Sequence, residues 1–200
     1  MADLFDEKSK DWDANELVAM LSAAIGSAIL DNVPLHGQMR VMDFGAGTGL
    51  ISSQIAPRVK KIFAVDTSAA MLAKLASKPE LQNKVEVVCQ DILAKAIDEK
   101  FDLIISAMAM HHVQDTARLI QRFAEHLNTA GLIALADLDK EDGSFHPADT
   151  EGVFHHGFER TELQAMLEKQ GFGEINFLTA HTINKEEKSF PVFLLTAKKI

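Results

Sequence analysis

The chain has 200 residues, 47% of them hydrophobic and 24% charged, enough for one domain with a sizeable core and too apolar for intrinsic disorder. Its net charge of -9 disfavours a nucleic-acid partner, because phosphate binding draws on clustered Lys and Arg, and no such run occurs. The single cysteine, Cys89, excludes an internal disulfide framework and a cysteine zinc cage, and its place in an apolar run predicts a buried thiol.

The acidic start, Met1 to Glu7, lacks the basic and apolar blocks of a secretory signal. Residues 15–30 read as an amphipathic helix, and residues 1–34 as an N-terminal helical cap on a single domain spanning 1–200. The apolar stretch 17–30 is too short to span a bilayer and is broken by Ser22, Gly26 and Ser27. A cytoplasmic protein without membrane insertion is the expectation. Pro34 and Gly37 punctuate the entry to the first strand, 40–44. Further strands are predicted at 61–65, 85–89, 101–106 and 132–137, short and apolar on both faces, as strands covered by helices on both sides must be. Helical spacing occupies 50–56, 69–77 and 116–127 between them. This alternation implies a parallel sheet with right-handed crossovers. Residues 137–160 form a long loop rich in Asp, Glu, Gly and His, of a length that is often functional. A helix at 161–170 follows, with Thr161 as its cap and Gly171 as its stop. Strands at 174–181 and 190–196 then pair as an antiparallel hairpin.

The chemistry concentrates at the strand ends. Val41-Met42-Asp43-Phe44-Gly45-Ala46-Gly47-Thr48-Gly49 follows a strand and opens a helix, and its glycines permit positive φ and close backbone approach by a ligand. A nicotinamide or flavin fingerprint would place its third glycine where Leu50 stands, so a pyrophosphate ligand is disfavoured. S-adenosylmethionine carries no phosphate; it offers a sulfonium, an amino group and a carboxylate. The loop can receive its amino-acid end with Asp43 near the cationic part, Asp66 can accept from the ribose hydroxyls, and Asp91 from the adenine amine. These three acids end three successive strands, 23 and then 25 residues apart, the length of a strand–helix unit.

With these residues in place, the chain resembles the class I S-adenosylmethionine-dependent methyltransferases, in the small-molecule branch of the ubiquinone and menaquinone enzymes. The resemblance rests on residues 41–49, on Asp66 with Thr67, Ser68 and Met71 after it, on Gln90-Asp91-Ile92, and on Phe101-Asp102-Leu103-Ile104-Ile105 leading to Ala107 and Met108. It covers roughly residues 35–200 and implies an α/β fold: a Rossmann-like, doubly wound, mostly parallel seven-stranded sheet with an antiparallel C-terminal edge hairpin. It implies S-adenosylmethionine as cofactor, held by Asp43, Gly45, Ala46, Gly47, Gly49, Asp66, Thr67, Met71, Gln90, Asp91, Ile92, Ala107 and Met108.

Methyl transfer from a sulfonium needs alignment, and a base only where the acceptor must lose a proton. In the family, the segment after the fourth strand faces the methyl; here it carries His111 and His112, with His112 the first candidate for a substrate-facing base. A ring that merely bonds a backbone group is the competing role. The Asn/Asp-Pro-Pro-aromatic signature of enzymes that methylate DNA bases or glutamine is absent, which leaves a small-molecule acceptor of unspecified atom. His146, His155 and His156 make the 137–160 loop a candidate lid, and Trp12, within Phe5 to Asp13, a candidate cap on the pocket. No metal is expected, because adjacent His residues on a strand point apart and no His-x-x-x-His spacing exists. The alternatives are a non-catalytic S-adenosylmethionine-binding regulatory module and, less favoured, a nicotinamide oxidoreductase. Oligomeric state is left open.

Overall fold

The computed structural model describes residues 9–147, 149–185 and 187–200. The seven strands are β1 (Arg40–Phe44), β2 (Lys61–Asp66), β3 (Val85–Cys89), β4 (Phe101–Ala107), β5 (Leu127–Leu138), β6 (Phe172–Lys185) and β7 (Lys188–Lys199). They form one sheet in the order β3-β2-β1-β4-β5-β7-β6. The first five run parallel to one another, while β7 lies antiparallel between β5 and β6. The helices are α1 (Glu16–Asn32), α2 (Leu50–Ile55), α3 (Ala69–Ser77), α4 (Thr116–His126) and α5 (Arg160–Lys169). The strand order reverses beside β1, so β1 and β4 diverge at a switch point, where open α/β sheets hold ligands beyond the strand carboxyl ends.

Alternate strand residues feed two cores. On one face, Leu21, Ile25 and Ile29 of α1, Ile51 and Ile55 of α2, and Leu72 and Leu75 of α3 pack on Val41, Ile62, Leu103 and Ile105. On the other, Leu119, Ile120 and Phe123 of α4 and Leu163 and Leu167 of α5 pack on Met42, Phe63, Ile104 and Phe193. Each such side chain stabilises the fold by about 1.5–3 kcal/mol when fully buried. Local chemistry sets the helix ends: the Asn15 side chain accepts from the amides of Leu17 and Val18 to start α1, and Ser68 accepts from Met71 to start α3.

Four expectations change. Cys89 is exposed, not buried, because β3 is the edge strand of the sheet. The fifth strand begins five residues early, at Leu127, with an irregular stretch that puts Ala130 at φ 61 before regular pairing resumes at Leu132. The terminal hairpin is longer at both ends, closing between Lys185 and Lys188. Thr161 lies inside α5, whose N-cap is Glu159 without a side-chain capping bond; Gly171 does end the helix region, at φ 81. Among the described residues, no helix is long and apolar enough to cross a membrane.

Candidate active site

The loop after β1 folds back over β2: the amides of Gly45 and Ala46 both donate to the Val65 carbonyl, at 2.8 and 3.1 Å. Gly45, Gly47 and Gly49 have φ of 68°, 53° and 81°, a region that L side chains avoid. Packing dictates two of them. A Cβ on Gly45 would stand 2.3 Å from the Ala109 Cβ, and one on Gly49 would stand 2.7 Å from Leu75. A Cβ on Gly47 would meet nothing within 4 Å, so there the loop presents its backbone to open space.

Two of the three strand-end acids converge on this loop. Asp66 accepts the Gly47 amide through one oxygen and the Ser68 amide through the other, both at 2.8 Å. Asp43 is buried and accepts the Ser52 hydroxyl at 2.6 Å. Burial pushes its pKa up to about 7; the neighbouring Asp66 charge adds to this and the Ser52 hydrogen bond opposes it. A buried carboxyl poised in this way becomes the stable anion when a cation sits beside it. Asp91 is exposed and accepts the Leu93 amide at 2.8 Å. The Gln90 amide donates to the Asp66 carbonyl and its side chain to the Lys95 carbonyl. Thr67 is exposed, whereas Met71 and Ile92 are buried, so these two reach a ligand only as packing beneath it. Ala107 ends β4, and Met108 follows at φ 54 with its amide bonded to the Ala136 carbonyl. Such strain in a non-glycine residue collects at ligand sites.

The N-terminal segment docks on the same loop. Asp13, in the 3-10 turn Trp12–Ala14, accepts the Thr48 hydroxyl at 2.5 Å and pairs with Lys78 at 2.8 Å. Burial alone would raise the Asp13 carboxyl, but Lys78 and Thr48 outweigh it and hold the group below the usual carboxylate range. The Lys74 ammonium donates to the Lys10 carbonyl. Trp12 is half-buried in this turn. Phe5 to Lys8 of the expected closing segment lie outside the described residues.

Beyond β4, the 3-10 turn Met110–His112 sets two imidazoles against each other, with centroids 4.2 Å apart and planes tilted by 44°. His146, from the long loop, comes to 5.2 Å from His111 and 6.1 Å from His112. The other two loop histidines go elsewhere. His155 Nε2 donates to the Val113 carbonyl at 2.9 Å, and exposed His156 faces Glu141 at 3.5 Å. Sequence reasoning missed Asp137, whose carboxylate lies 2.7 Å from His111 Nδ1, and Asp13. The signal for Asp137 was present: like Asp43 and Asp66, it is an acid ending an apolar strand. Among the described residues, no cluster of three or more His, Cys, Asp and Glu has the geometry to hold a metal ion.

Known proteins resemble this chain in sequence and in fold. The sequence profile of the methyltransferase domain family matches residues 18–185. An uncharacterized methyltransferase of Schizosaccharomyces pombe is 30% identical over 135 residues, 60% of this chain; the match spans 48%, about half, of that protein's length. Among solved structures, an S-adenosylmethionine-dependent methyltransferase from Clostridium acetobutylicum superposes with a TM-score of 0.69 at 17% identity, over 98% of this chain and 99% of its own. Haemonchus contortus phosphoethanolamine N-methyltransferase 2, in complex with phosphomonomethylethanolamine and S-adenosylhomocysteine, superposes with a TM-score of 0.73 at 16% identity, over 98% of this chain and 59% of its own. At such identities the two structures establish a shared fold.

Proposed function

The chain belongs to the methyltransferase domain family, and from that premise we propose that it binds S-adenosylmethionine on the Gly45–Gly49 loop and transfers its methyl group to a small-molecule nucleophile. The observation that carries this reading is the Gly47 corner: a positive-φ glycine open to space on its Cβ side, its amide tied to Asp66, with the raised carboxyl of Asp43 close by. A dinucleotide would bring two phosphates to this acidic corner. A sulfonium and an ammonium suit it far better.

In this reading Asp66 takes the ribose hydroxyls, Asp91 the adenine amine, and Asp43 the charge at the cationic end, while the glycine loop borders the amino-acid end. Thr67, Met71, Gln90 and Ile92 frame the adenosine, and Ala107 and Met108 border the methyl side. When bound, the cofactor supplies an electrophilic methyl on positively charged sulfur. The chain's own residues align the acceptor and exclude water. A single domain over residues 1–200, with residues 1–34 as its cap, completes the proposal; the run Ser106 to Val113 after β4, without the Asn/Asp-Pro-Pro-aromatic signature, supports a small acceptor.

Calorimetry with S-adenosylhomocysteine and with NAD tests it. The expected result is binding of the first and not the second, and loss of that binding in a folded Gly47→Val chain, whose side chain would both strain φ and fill the open corner. A folded wild-type chain that ignores S-adenosylhomocysteine would defeat the reading.

A further inference from the structure

We propose that the chain holds a second ligand site, at the end of the sheet away from the glycine loop, and that its ligand is a linear aliphatic polyamine. The site is independent of the methyltransferase reading and stands on a cavity, its width and its charge.

Met39, just before β1, and Asp102, at the start of β4, line a cavity of about 670 Å³, whereas the glycine loop follows the other end of β1. That volume lies within the usual range of small-molecule sites. The exit of α1 contributes Asn32 and Val33 to the lining, and the sheet contributes residues of β4, β5, β7 and β6. Those four strands are neighbours in that order, so the lining reaches across three strand spacings, about 14 Å. Such a width suits an elongated ligand better than a compact one.

The backbone around the cavity is held in an unusual shape. Ala130 and Glu174, two of the four non-glycine residues with positive φ among the described residues, both line it. Beside Ala130, a Cβ on Gly131 would stand 2.9 Å from the Asn128 carbonyl, so the chain has no slack there. Strain of this kind persists only where the surroundings enforce it, and it collects at ligand sites.

Polar chemistry sets the sign of the ligand. Asn32 and Asn176 each donate through Nδ2 to a backbone carbonyl, of Ala28 at 2.8 Å and of Glu174 at 2.9 Å, which leaves each Oδ1 as an acceptor. Asp102 accepts the Arg40 amide at 2.9 Å and the Asn128 side chain at 2.8 Å, neutral donors that solvate its charge without cancelling it. The lining holds one ammonium, Lys198, and Glu174 pairs with it at 3.1 Å. Two carboxylates against one ammonium, with amide oxygens besides, call for a ligand that brings N–H donors and positive charge. The net charge of -9 draws such a ligand toward the protein. A polyamine meets these demands together: ammonium groups for the oxygens, methylenes for Val33, Met39 and Leu132, and length for the width.

Proton–nitrogen NMR of the labelled full chain tests this, with spermidine as the probe and octanediol and octanedioate as neutral and anionic chains of similar length. Spermidine is expected to move the amides of Met39, Ala130, Gly131 and Asn176 to saturation and to leave Gly47 in place. Octanediol should bind about tenfold more weakly, and octanedioate should leave all five amides unmoved. Asn176→Lys, at an exposed position, sets an ammonium into the lining and should weaken spermidine by about tenfold; Glu174→Gln should weaken it about threefold. Octanediol or octanedioate binding as well as spermidine would overturn the proposal. So would shifts that scatter over the acidic surface without saturating, or that fall on Gly47 and spare the cavity. The comparison of the three probes on the wild-type chain stands even where a variant does not fold.

Discussion

Asp43 pairs a structural cost with the binding role proposed for it. Its carboxyl is buried with one hydroxyl partner and lies within reach of the Asp66 charge, so the folded chain prefers it protonated up to about pH 7. An unfolded aspartate titrates near 3.9. The folded value is raised, so the stability Asp43 contributes is fully present below about pH 4 and is lost as pH rises to about 7. The gap between 3.8 and about 7 corresponds to roughly 4 kcal/mol as an upper bound. Asp43→Asn should therefore flatten the pH dependence of the unfolding free energy between about 4 and 7 and leave the variant more stable than the wild type at pH 8, as denaturant titrations across that range would show. A cationic ligand reverses the preference. Below pH 7, binding of S-adenosylmethionine must expel the proton, so its affinity should fall by up to tenfold per pH unit, with proton release visible as a buffer-dependent calorimetric heat. Asp66 acts on the same corner while only partly buried. A charge-assisted hydrogen bond contributes about 1.5–3 kcal/mol, so Asp66→Ala should weaken S-adenosylhomocysteine binding roughly ten- to a hundredfold. Unchanged affinity in a folded Asp66→Ala chain would remove it from the ribose role.

The single turn before α1 works as a latch between three elements. Asp13 joins the glycine loop through Thr48 and the end of α3 through Lys78, which ties the turn carrying Trp12 to both. Because the pair is partly exposed, breaking it costs about 1 kcal/mol. Asp13→Ala should speed cofactor exchange about fivefold and change the emission of Trp12, the only tryptophan, on adding S-adenosylhomocysteine. Stopped-flow fluorescence measures both; identical traces for variant and wild type would dismiss the latch. The sequence marked Trp12 as a candidate cap, but the Asp13–Thr48 bond was not legible there, since the two are 35 residues apart and meet only after α1 packs. What was legible has a common physical cause. β1, β2 and β4 are apolar on both faces because helices cover both, and Asp43, Asp66 and Asp91 stand out because an acid interrupts an apolar run where a strand leaves the core. Exposure of Val87 and Cys89 on β3 was hidden, because edge position depends on strand order, which composition does not encode. The Asp137–His111 couple needed the β4–β5 register: Ala107 pairs with Ala136, and only then does the turn after β4 bring His111 back to the next residue of β5.

The two cores and the single sheet bear on how the chain unfolds. α1 belongs to the same packed cluster as β1, through Leu21, Ile25, Ile29 and Val41, so the proposed N-terminal cap shares its stability with the site it precedes. At the other end, β7 is inserted between β5 and β6, and Phe193 is fully buried on the opposite face, edge-on to Phe177. Removing that ring should cost about 3–5 kcal/mol. For a chain of this length the loss corresponds to a fall in Tm of roughly 6–20 °C. If residues 1–200 are one domain, the damage cannot stay local. Phe193→Ala lies far from α1 in sequence and on the other face of the sheet, yet it should lower the hydrogen-exchange protection of α1 and β1 amides by the same free energy as those of β7. It should also leave one cooperative calorimetric transition. Protection in α1 that holds while β7 loses its own would mean that the C-terminal hairpin opens as a separate unit, and the single-domain assignment would then have to be divided between β5 and β7.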